Sequence, residues 1–207
     1  MNNGQSNPYT STADGSFGPA QTARLDANQV QILFADLQGN LIDNSRTTPP
    51  ESIIRAAVGL ARIANILELP MHHSVAAQAG MDPSVIEPLR PYAIEDNTYH
   101  RVTSGALMDA PTQEALSATE RPILVVAGFA AEVVVIQTVL DALAEGYTVF
   151  YMVDAIGGLS ERSELAMFRA MEDAGAISSS VASLAARLAP DFDRAPGTEI
   201  LKLIQSL

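Results

Sequence analysis

An acid, a guanidinium group and a short apolar turn each lie at the end of a predicted strand in this chain. Asp36 follows the apolar strand at residues 30–35, Arg101 ends a short extended segment, and the turn at residues 128–134 follows another apolar run. Asp154 also follows a predicted strand. Strands that alternate with helices predict a parallel sheet, and such sheets bind ligands at the carboxyl ends of their strands. We therefore expect these positions to form one site.

Asp36 is the candidate for proton transfer. A carboxyl group buried in an apolar pocket has a raised pKa and can act as an acid. The Arg101 guanidinium opposes this, because a nearby cation favours the ionised carboxylate and arginine does not itself lose a proton. Structural interpretations stay open: Asp36 can cap the turn after its strand, and Arg101 can form an ion pair with Asp36 or Glu132. Glu132, at a helix start, and Asp154, in a loop, have structural interpretations as well.

The residue composition excludes several kinds of chemistry. The chain has no cysteine, which excludes disulfides, thiolate catalysis and cysteine-ligated metals. His72 and His73 are adjacent, so on a strand their side chains point to opposite sides. One of the two could line a pocket, but the pair does not predict a metal site. We predict no metal and no cofactor.

Length, charge and hydropathy bound the class of protein. The 207 residues suffice for one domain with a sizeable core, and 47% hydrophobic residues is ordinary for a globular protein. A net charge of −12 argues against nucleic-acid binding, which needs clustered cations. No apolar stretch approaches the roughly 18 residues of a membrane span, and the first residues lack the pattern of a secretory signal. We expect a cytoplasmic protein that binds neither nucleic acid nor membrane.

Apolar periodicity divides the chain into alternating strands and helices. Residues 1–22 predict a flexible or extended arm, and residues 23–207 predict a single domain. The predicted strands are residues 30–35, 70–74, 123–127, 148–153 and 176–178, and residues 92–94 and 99–102 bracket a further extended region. The predicted helices are residues 51–69, 83–89, 111–118, 131–145 and 159–174, followed by a largely helical C-terminal segment. This order predicts an α/β fold with three layers, α-β-α, around a mostly parallel, Rossmann-like sheet.

Two segments resemble the isochorismatase-like hydrolases, a superfamily of cysteine hydrolases. Residues 34–38, Phe-Ala-Asp-Leu-Gln, match the Asp-x-Gln that follows the first strand of that family. Residues 123–158 match a strand, a Gly, a turn ending in Thr-Asp/Glu-Val-Cys-Val, a helix, and then Gly-Tyr-x-Val and Asp-Ala. Val134 stands where most of the family has the nucleophilic cysteine. The resemblance covers roughly residues 29–186 and is strongest to a bacterial subgroup of uncharacterised, often oligomeric hydrolases.

The resemblance implies a catalytic set and a binding pocket. Asp36 corresponds to the catalytic aspartate, Arg101 to a basic residue that is usually lysine, and Val134 to the missing nucleophile. The turn, which often contains a non-proline cis peptide in this family, is expected to present backbone N–H groups to an oxyanion. The substrate-binding residues that the resemblance implies are Gln38, Phe129, Ala130 and Val133. It also implies the isochorismatase-type hydrolase fold, a small-molecule ligand and a homo-oligomer.

Two functions stay open for such a site. Valine cannot attack a carbonyl, and loss of a nucleophile costs about 10⁶ in rate, so ordinary amidase chemistry is not expected. The first hypothesis is a hydrolase of an unidentified small molecule in which Asp36 acts as a non-covalent general acid, as in relatives that cleave a vinyl ether. The second is a catalytically inactive pseudoenzyme that binds a small molecule or serves as an oligomeric structural protein.

Overall fold

A parallel sheet organises the described part of the chain. The computed structural model describes residues 25–78, 80 and 83–207. Within them the strands are β1 (Val30–Ala35), β2 (Met71–Ala76), β3 (Thr98–Arg101), β4 (Ile123–Phe129), β5 (Thr148–Gly157) and β6 (Ile177–Ser179). They lie in the order β3-β2-β1-β4-β5-β6, and each neighbouring pair is parallel. The arm predicted at residues 1–22 lies outside the described residues.

Helices connect the strands and cover both faces of the sheet. They are α1 (Gly39–Ile42), α2 (Pro50–Ile66), α3 (Ala110–Ala118), α4 (Ile136–Ala144), α5 (Glu161–Asp173), α6 (Val181–Leu188) and α7 (Gly197–Ile204). Shorter 3₁₀ segments occur at Ala27–Gln29, Glu87–Tyr92 and Glu95–Asn97, and a π turn at Ala131–Val135 leads into α4. Among the described residues, no helix combines the length and the apolar character that a bilayer crossing requires.

Two hydrophobic cores lie between the sheet and its helices. One core packs the sheet against α2, α6 and α7, and the other packs it against α3, α4 and α5. Strands β1 and β4 are buried along their whole length, because successive side chains enter opposite cores: Phe34 lies in the first and Leu33 in the second. This explains their continuous apolar sequences. The predicted three-layer α/β fold is confirmed.

One predicted helix is wrong. The sequence predicts a helix at residues 83–89, whereas the structure has the 3₁₀ segment Glu87–Tyr92. Pro88 and Pro91 explain the difference, because neither has the backbone N–H group that a continuing α-helix needs.

Two elements on the carboxyl side of β4 also differ from their predicted bounds. The helix predicted at residues 131–145 begins as the π turn and becomes α-helical only at Ile136. Strand β5 continues to Gly157 instead of ending at residue 153, and its register against β4 shifts near Gly128. Both irregularities lie at the edge of the sheet where the candidate site is found.

Candidate functional site

The carboxyl ends of three adjacent strands bring polar side chains together. Arg101 is the last residue of β3, Ser74 lies near the end of β2, and Asp36 follows β1 directly. Arg101 therefore reaches across the end of β2 to Asp36, although 65 residues separate the two in sequence. This is the edge at which parallel sheets bind ligands.

The backbone around Asp36 fixes where its carboxyl group lies. Asp36 has φ 55°, in the left-handed region that aspartate tolerates better than most residues, and its N–H donates to the Ser74 carbonyl at 2.8 Å. On the other side, Gly128 lets β4 approach closely, because a Cβ there would lie 2.2 Å from the Ala35 carbonyl oxygen. The turn after β1 is thus held between β2 and β4.

Asp36 and Arg101 form a buried ion pair. The Arg101 Nη2 donates to Asp36 Oδ2 at 2.6 Å, and only 6% of Asp36 and 3% of Arg101 is exposed. Arg101 Nε donates to Ser74 Oγ at 3.0 Å, and Nη1 donates to the Thr103 carbonyl at 2.5 Å. Each guanidinium nitrogen therefore has an acceptor within the protein.

The second oxygen of the Asp36 carboxyl group is unengaged. Burial raises the pKa of Asp36 above its ordinary value, and the charge and hydrogen bond of Arg101 offset part of that rise. The Ala76 N–H also favours the ionised form, but it donates its hydrogen bond to Gln38 Oε1 at 2.8 Å. Among the described residues Oδ1 is buried without a hydrogen-bond partner. A ligand can supply that partner.

A cavity of about 390 Å³ lies next to Asp36. Its walls come from the last residues of β2 and β4 and from the segments that follow β1, β4 and β5, and they are mainly apolar. The residues that line it are Asp36, Leu41, Asn44, Ala76, Phe129, Ala130, Val133 and Leu159. The predicted site residues Asp36, Phe129, Ala130 and Val133 are therefore brought together around one space. Their roles in binding or catalysis stay predictions.

The structure separates Val133 from Val134. Val133 lines the cavity and is 46% exposed, whereas Val134 is fully buried in the core beneath α4. The peptide bond between Phe129 and Ala130 is cis. The Ala130 carbonyl accepts from the N–H groups of Val133 and Val135 at 3.1 and 3.3 Å. The N–H of Val133, expected to face an oxyanion, thus already has an acceptor in the turn.

Gln38 holds strands together. Its Oε1 accepts from the Ala76 N–H at 2.8 Å, and its Nε2 donates to the Ala76 carbonyl at 3.2 Å. Both polar ends of the buried amide are used on the end of β2, and Gln38 does not line the cavity. Its predicted contact with substrate stays a prediction, while the observed contacts are structural.

Glu132 and Asp154 both accept hydrogen bonds from the starts of other helices. Glu132 Oε1 accepts from the N–H groups of Leu159 and Ser160 at 2.9 and 3.4 Å, just before α5. Asp154 accepts from the Val181 N–H, at 3.1 Å to each carboxyl oxygen, at the start of α6. The predicted ion pair is thus between Arg101 and Asp36, not between Arg101 and Glu132.

The histidines lie on opposite faces of β2, as their adjacency predicts. His73 stacks on Phe34 and His72 stacks on Tyr99. Burial lowers the pKa of each to about 4, so both are neutral at physiological pH. Throughout residues 25–78, 80 and 83–207, no group of three or more His, Cys, Asp or Glu side chains is arranged to hold a metal ion.

Sequence reasoning missed Ser74, Leu41, Asn44 and Leu159. Ser74 accepts from Arg101, and the other three line the cavity. The position of Ser74 at the end of a predicted strand was a usable signal, because it falls at the same sheet edge as Asp36. No comparable signal marks Leu41 and Asn44, since they belong to the short helix α1 and the turn after it.

Comparison with known proteins identifies relatives over most of the chain. Residues 31–183 match the family model of the isochorismatase domain. The chain is 26% identical over 156 residues to the probable hydrolase YcaC of Escherichia coli, covering 74% of each chain. It is 27% identical over 178 residues to human isochorismatase domain-containing protein 2, covering 84% of this chain and 82% of that one.

Solved structures show the same fold. The structure of Escherichia coli YcaC, described as an octameric hydrolase of unknown specificity, superposes with a TM-score of 0.82 and 25% identity, covering 88% of this chain and 90% of that one. YcaC from Pseudomonas aeruginosa, solved with hexane-2,5-diol and covalent acrylamide, superposes with a TM-score of 0.79 and 27% identity. The match covers 88% of this chain and 96% of that one. The sheet edge described above therefore belongs to a shared architecture.

Proposed function

Because the chain belongs to the isochorismatase family, we propose that it hydrolyses a small molecule bound in the cavity beside Asp36, without a covalent intermediate. The observation that supports this is the buried Asp36 carboxyl group, which has one oxygen paired with Arg101 and the other unpartnered among the described residues. A carboxyl group with one oxygen fixed by an ion pair and the other unpartnered can exchange a proton with a ligand without losing its position.

Asp36 acts first as the acid and then as the base in this proposal. Burial raises the pKa of Asp36 and so makes its carboxyl group easier to protonate, and the protonated group gives its proton to an enol-ether carbon of the substrate. Water adds to the resulting cation, its proton returns to Asp36, and the adduct breaks into a carbonyl compound and an alcohol. Arg101 stabilises the carboxylate that exists between the two proton transfers, through its hydrogen bond to Oδ2.

Val134 separates this chemistry from amide hydrolysis through a thiolate. Valine supplies no nucleophile, and the chain has no cysteine elsewhere. We propose that amides which require an acyl-enzyme intermediate are not turned over at an ordinary rate. The proposed substrates are therefore molecules that protonation alone makes reactive towards water.

A hydrolysis screen tests the role of Asp36. The wild-type protein, Asp36→Ala and Asp154→Asn are compared on a vinyl ether and on simple primary amides. We expect vinyl-ether hydrolysis by the wild type, loss of it in Asp36→Ala, and retention in Asp154→Asn, because Asp154 is half-buried and bonded to the start of α6 away from the cavity. Turnover that survives in Asp36→Ala would show that the roles are wrongly assigned.

A second candidate function is a binding protein without turnover. The support for it is that each Arg101 nitrogen donates to a group within the protein and that Val134 is buried in the core. In this case the cavity keeps a ligand but the residue at the former nucleophile position no longer reaches it.

Single cysteines introduced into this cysteine-free chain separate the two candidates. We expect Val133→Cys to react with iodoacetamide at least about tenfold faster than Val134→Cys, because burial suppresses thiolate formation and access. We also expect no amidase activity in Val134→Cys. Amidase activity in that variant would instead show a pocket that lacks only its nucleophile, and would contradict the binding-protein candidate.

We also propose that the chain forms a homo-oligomer. The related Escherichia coli YcaC is described as octameric, and Val102 presents a 90% exposed apolar side chain directly after β3. Light scattering coupled to size-exclusion chromatography measures the mass in solution. A mass equal to one chain of 21.9 kDa would contradict this proposal.

A further inference from the structure

The ionisable group that lines the cavity beside α1 is an acid. Among the described residues that line it, Asp36 is the single ionisable side chain. Arg101 lies behind Asp36, and its three nitrogens already donate to Asp36, Ser74 and Thr103. The charge of Arg101 is thus already paired with Asp36, and Arg101 is not among the residues that line the cavity.

Several neutral N–H groups of the wall residues already donate hydrogen bonds within the protein. The two hydrogens of Asn44 Nδ2 are used on the Asn40 and Leu41 carbonyls, at 2.8 and 3.2 Å. The backbone N–H groups of three other lining residues likewise have acceptors, namely those of Ala76, Val133 and Leu159. The side-chain atoms of the wall that have no hydrogen-bond partner are the acceptors Asp36 Oδ1 and the Asn44 side-chain oxygen, and most of the remaining surface is apolar.

We infer that this cavity selects an uncharged molecule that carries a hydrogen-bond donor, such as a hydroxyl group, on a short apolar body, and that it rejects carboxylates. A carboxylate would lose its hydration and meet Asp36 without a free cation. An ammonium group would also be desolvated, beside a carboxylate that Arg101 has already neutralised. The inference rests on the proposed function, because it takes the same cavity as the ligand site.

Four related probes test this selectivity on the full-length protein. Benzyl alcohol and anisole are isomers that differ in having or lacking a hydrogen-bond donor, while benzoate and benzylamine carry opposite charges at neutral pH. Dissociation constants are measured by ligand-observed NMR, with Asp36→Ala to show that binding is at this cavity. We expect benzyl alcohol to bind at least about tenfold more tightly than anisole, as a hydrogen bond to a charged acceptor allows, and benzoate to bind most weakly.

Two results would overturn the inference. One is benzoate binding as tightly as benzyl alcohol, and the other is no binding of any probe at millimolar concentration. Because binding is read without turnover, failure of the inference can be distinguished from failure of the proposed function. Vinyl-ether hydrolysis with no preference among the probes would overturn the inference alone, while the expected preference without hydrolysis would overturn the proposed hydrolase alone.

A change of charge on the wall provides a gain-of-binding test. Val133 lines the cavity and is exposed enough to accept a longer side chain. Val133→Lys adds a cation, and Val133→Met adds similar length without charge. We expect benzoate to bind at least about tenfold more tightly to Val133→Lys than to Val133→Met. Equal binding of benzoate to the two variants would contradict the claim that a missing cation causes its rejection.

Discussion

Two sets of carboxyl groups, one buried and one half-buried, lie at the carboxyl edge of the same sheet, and they are stabilised in different ways. Asp36 is held by a guanidinium group at 2.6 Å and lines the cavity. Glu132 and Glu164 have no cation partner among the described residues. Both approach Gly158, where a Cβ would lie 3.1 Å from one Glu132 oxygen and 3.2 Å from one Glu164 oxygen.

Neutral donors stabilise the second set of carboxyl groups. We call Glu132, Glu164 and the Thr47 hydroxyl group, which bonds to Glu164, the loop anchor. Glu164 Oε1 accepts from Thr47 Oγ1 at 2.6 Å, and Thr47 Oγ1 accepts from the Gly158 N–H at 2.8 Å. Glu132 Oε1 accepts from Ser163 Oγ at 2.5 Å as well as from the loop N–H groups. The loop anchor thus fixes the segment between β5 and α5.

The difference shows that one edge of a sheet can carry both a candidate catalytic carboxyl group and carboxyl groups that only hold a loop in place. The pair at Asp36 holds its position through a charge and leaves Oδ1 of a cavity-lining residue without a hydrogen-bond partner. In the loop anchor, Glu132 Oε1 and Glu164 Oε1 accept from N–H and O–H groups of the chain, Glu132 Oε2 is buried without a partner, and none of its residues lines the cavity. Its effect on function is expected to be indirect, through the position of Leu159.

The largest effect is expected from breaking the charged pair. Arg101→Met leaves the buried Asp36 carboxyl group without its cation, and we expect the free energy of unfolding to fall by about 3–5 kcal/mol. Urea denaturation at neutral pH measures it. The double variant Asp36→Asn with Arg101→Met should recover part of the loss, since no unpaired charge remains. Equal losses in the single and the double variant would show that charge is not the cause.

A smaller effect is expected in the loop anchor. Glu132→Ala removes the acceptor of two N–H groups and one hydroxyl group, and we expect a loss of about 1–3 kcal/mol. The binding of benzyl alcohol should change less than in Asp36→Ala, because Glu132 is not a wall residue. If Glu132→Ala abolished ligand binding while the protein stayed folded, the separation of the two sets would be wrong.

Thr47→Val tests the weaker link of the loop anchor. Valine keeps the shape of threonine but removes the acceptor of the Gly158 N–H and the donor to Glu164. We expect a loss of about 1 kcal/mol in the free energy of unfolding. Thr47→Ser, which keeps the hydroxyl group, is the matched control. A loss of the same size in both variants would mean that the methyl group matters and the hydroxyl group does not.

The smallest effect is a pH dependence at Glu164. Burial raises the pKa of Glu164 above its ordinary value of 4.5, and the charges of Glu132 and Glu161 add to the rise while the Thr47 hydroxyl opposes it. Glu164 therefore binds its proton more tightly in the folded protein than in the unfolded chain. The stability this gives is present below about pH 4.5 and is lost as the pH rises through the raised pKa.

Comparison with Glu164→Gln isolates this contribution. Glutamine does not titrate, so the free energy of unfolding of the wild type minus that of Glu164→Gln should fall as the pH rises from about 4 to neutrality. Urea denaturation of both proteins across that range provides the measurement. A difference that rises with pH would mean that the folded protein favours the charged form of Glu164 instead.

Sequence reasoning succeeded where the relevant pattern is local. The apolar runs of β1 and β4 locate two buried strands, and the positions of Asp36 and Arg101 after strands predict their shared edge. The sequence could not show that Gln38 forms hydrogen bonds with Ala76, because these bonds depend on where a strand 38 residues away ends.

The three consecutive valines show a second limit. Val133, Val134 and Val135 have the same side chain, and nothing in their types says which one faces a cavity. The π turn at Ala131–Val135 changes the angle between successive residues from that of an α-helix. Only the structure shows that Val133 lines the cavity and that Val134 packs in the core.

The walls of the cavity also determine how an inhibitor could act. The described residues that line it carry no thiol, hydroxyl or amine group, so an electrophilic warhead designed for cysteine enzymes has no such group to react with there. A useful compound would have to bind reversibly, and its residence time would be set by its dissociation rate. Val133→Cys would convert the same cavity into one that can be labelled covalently.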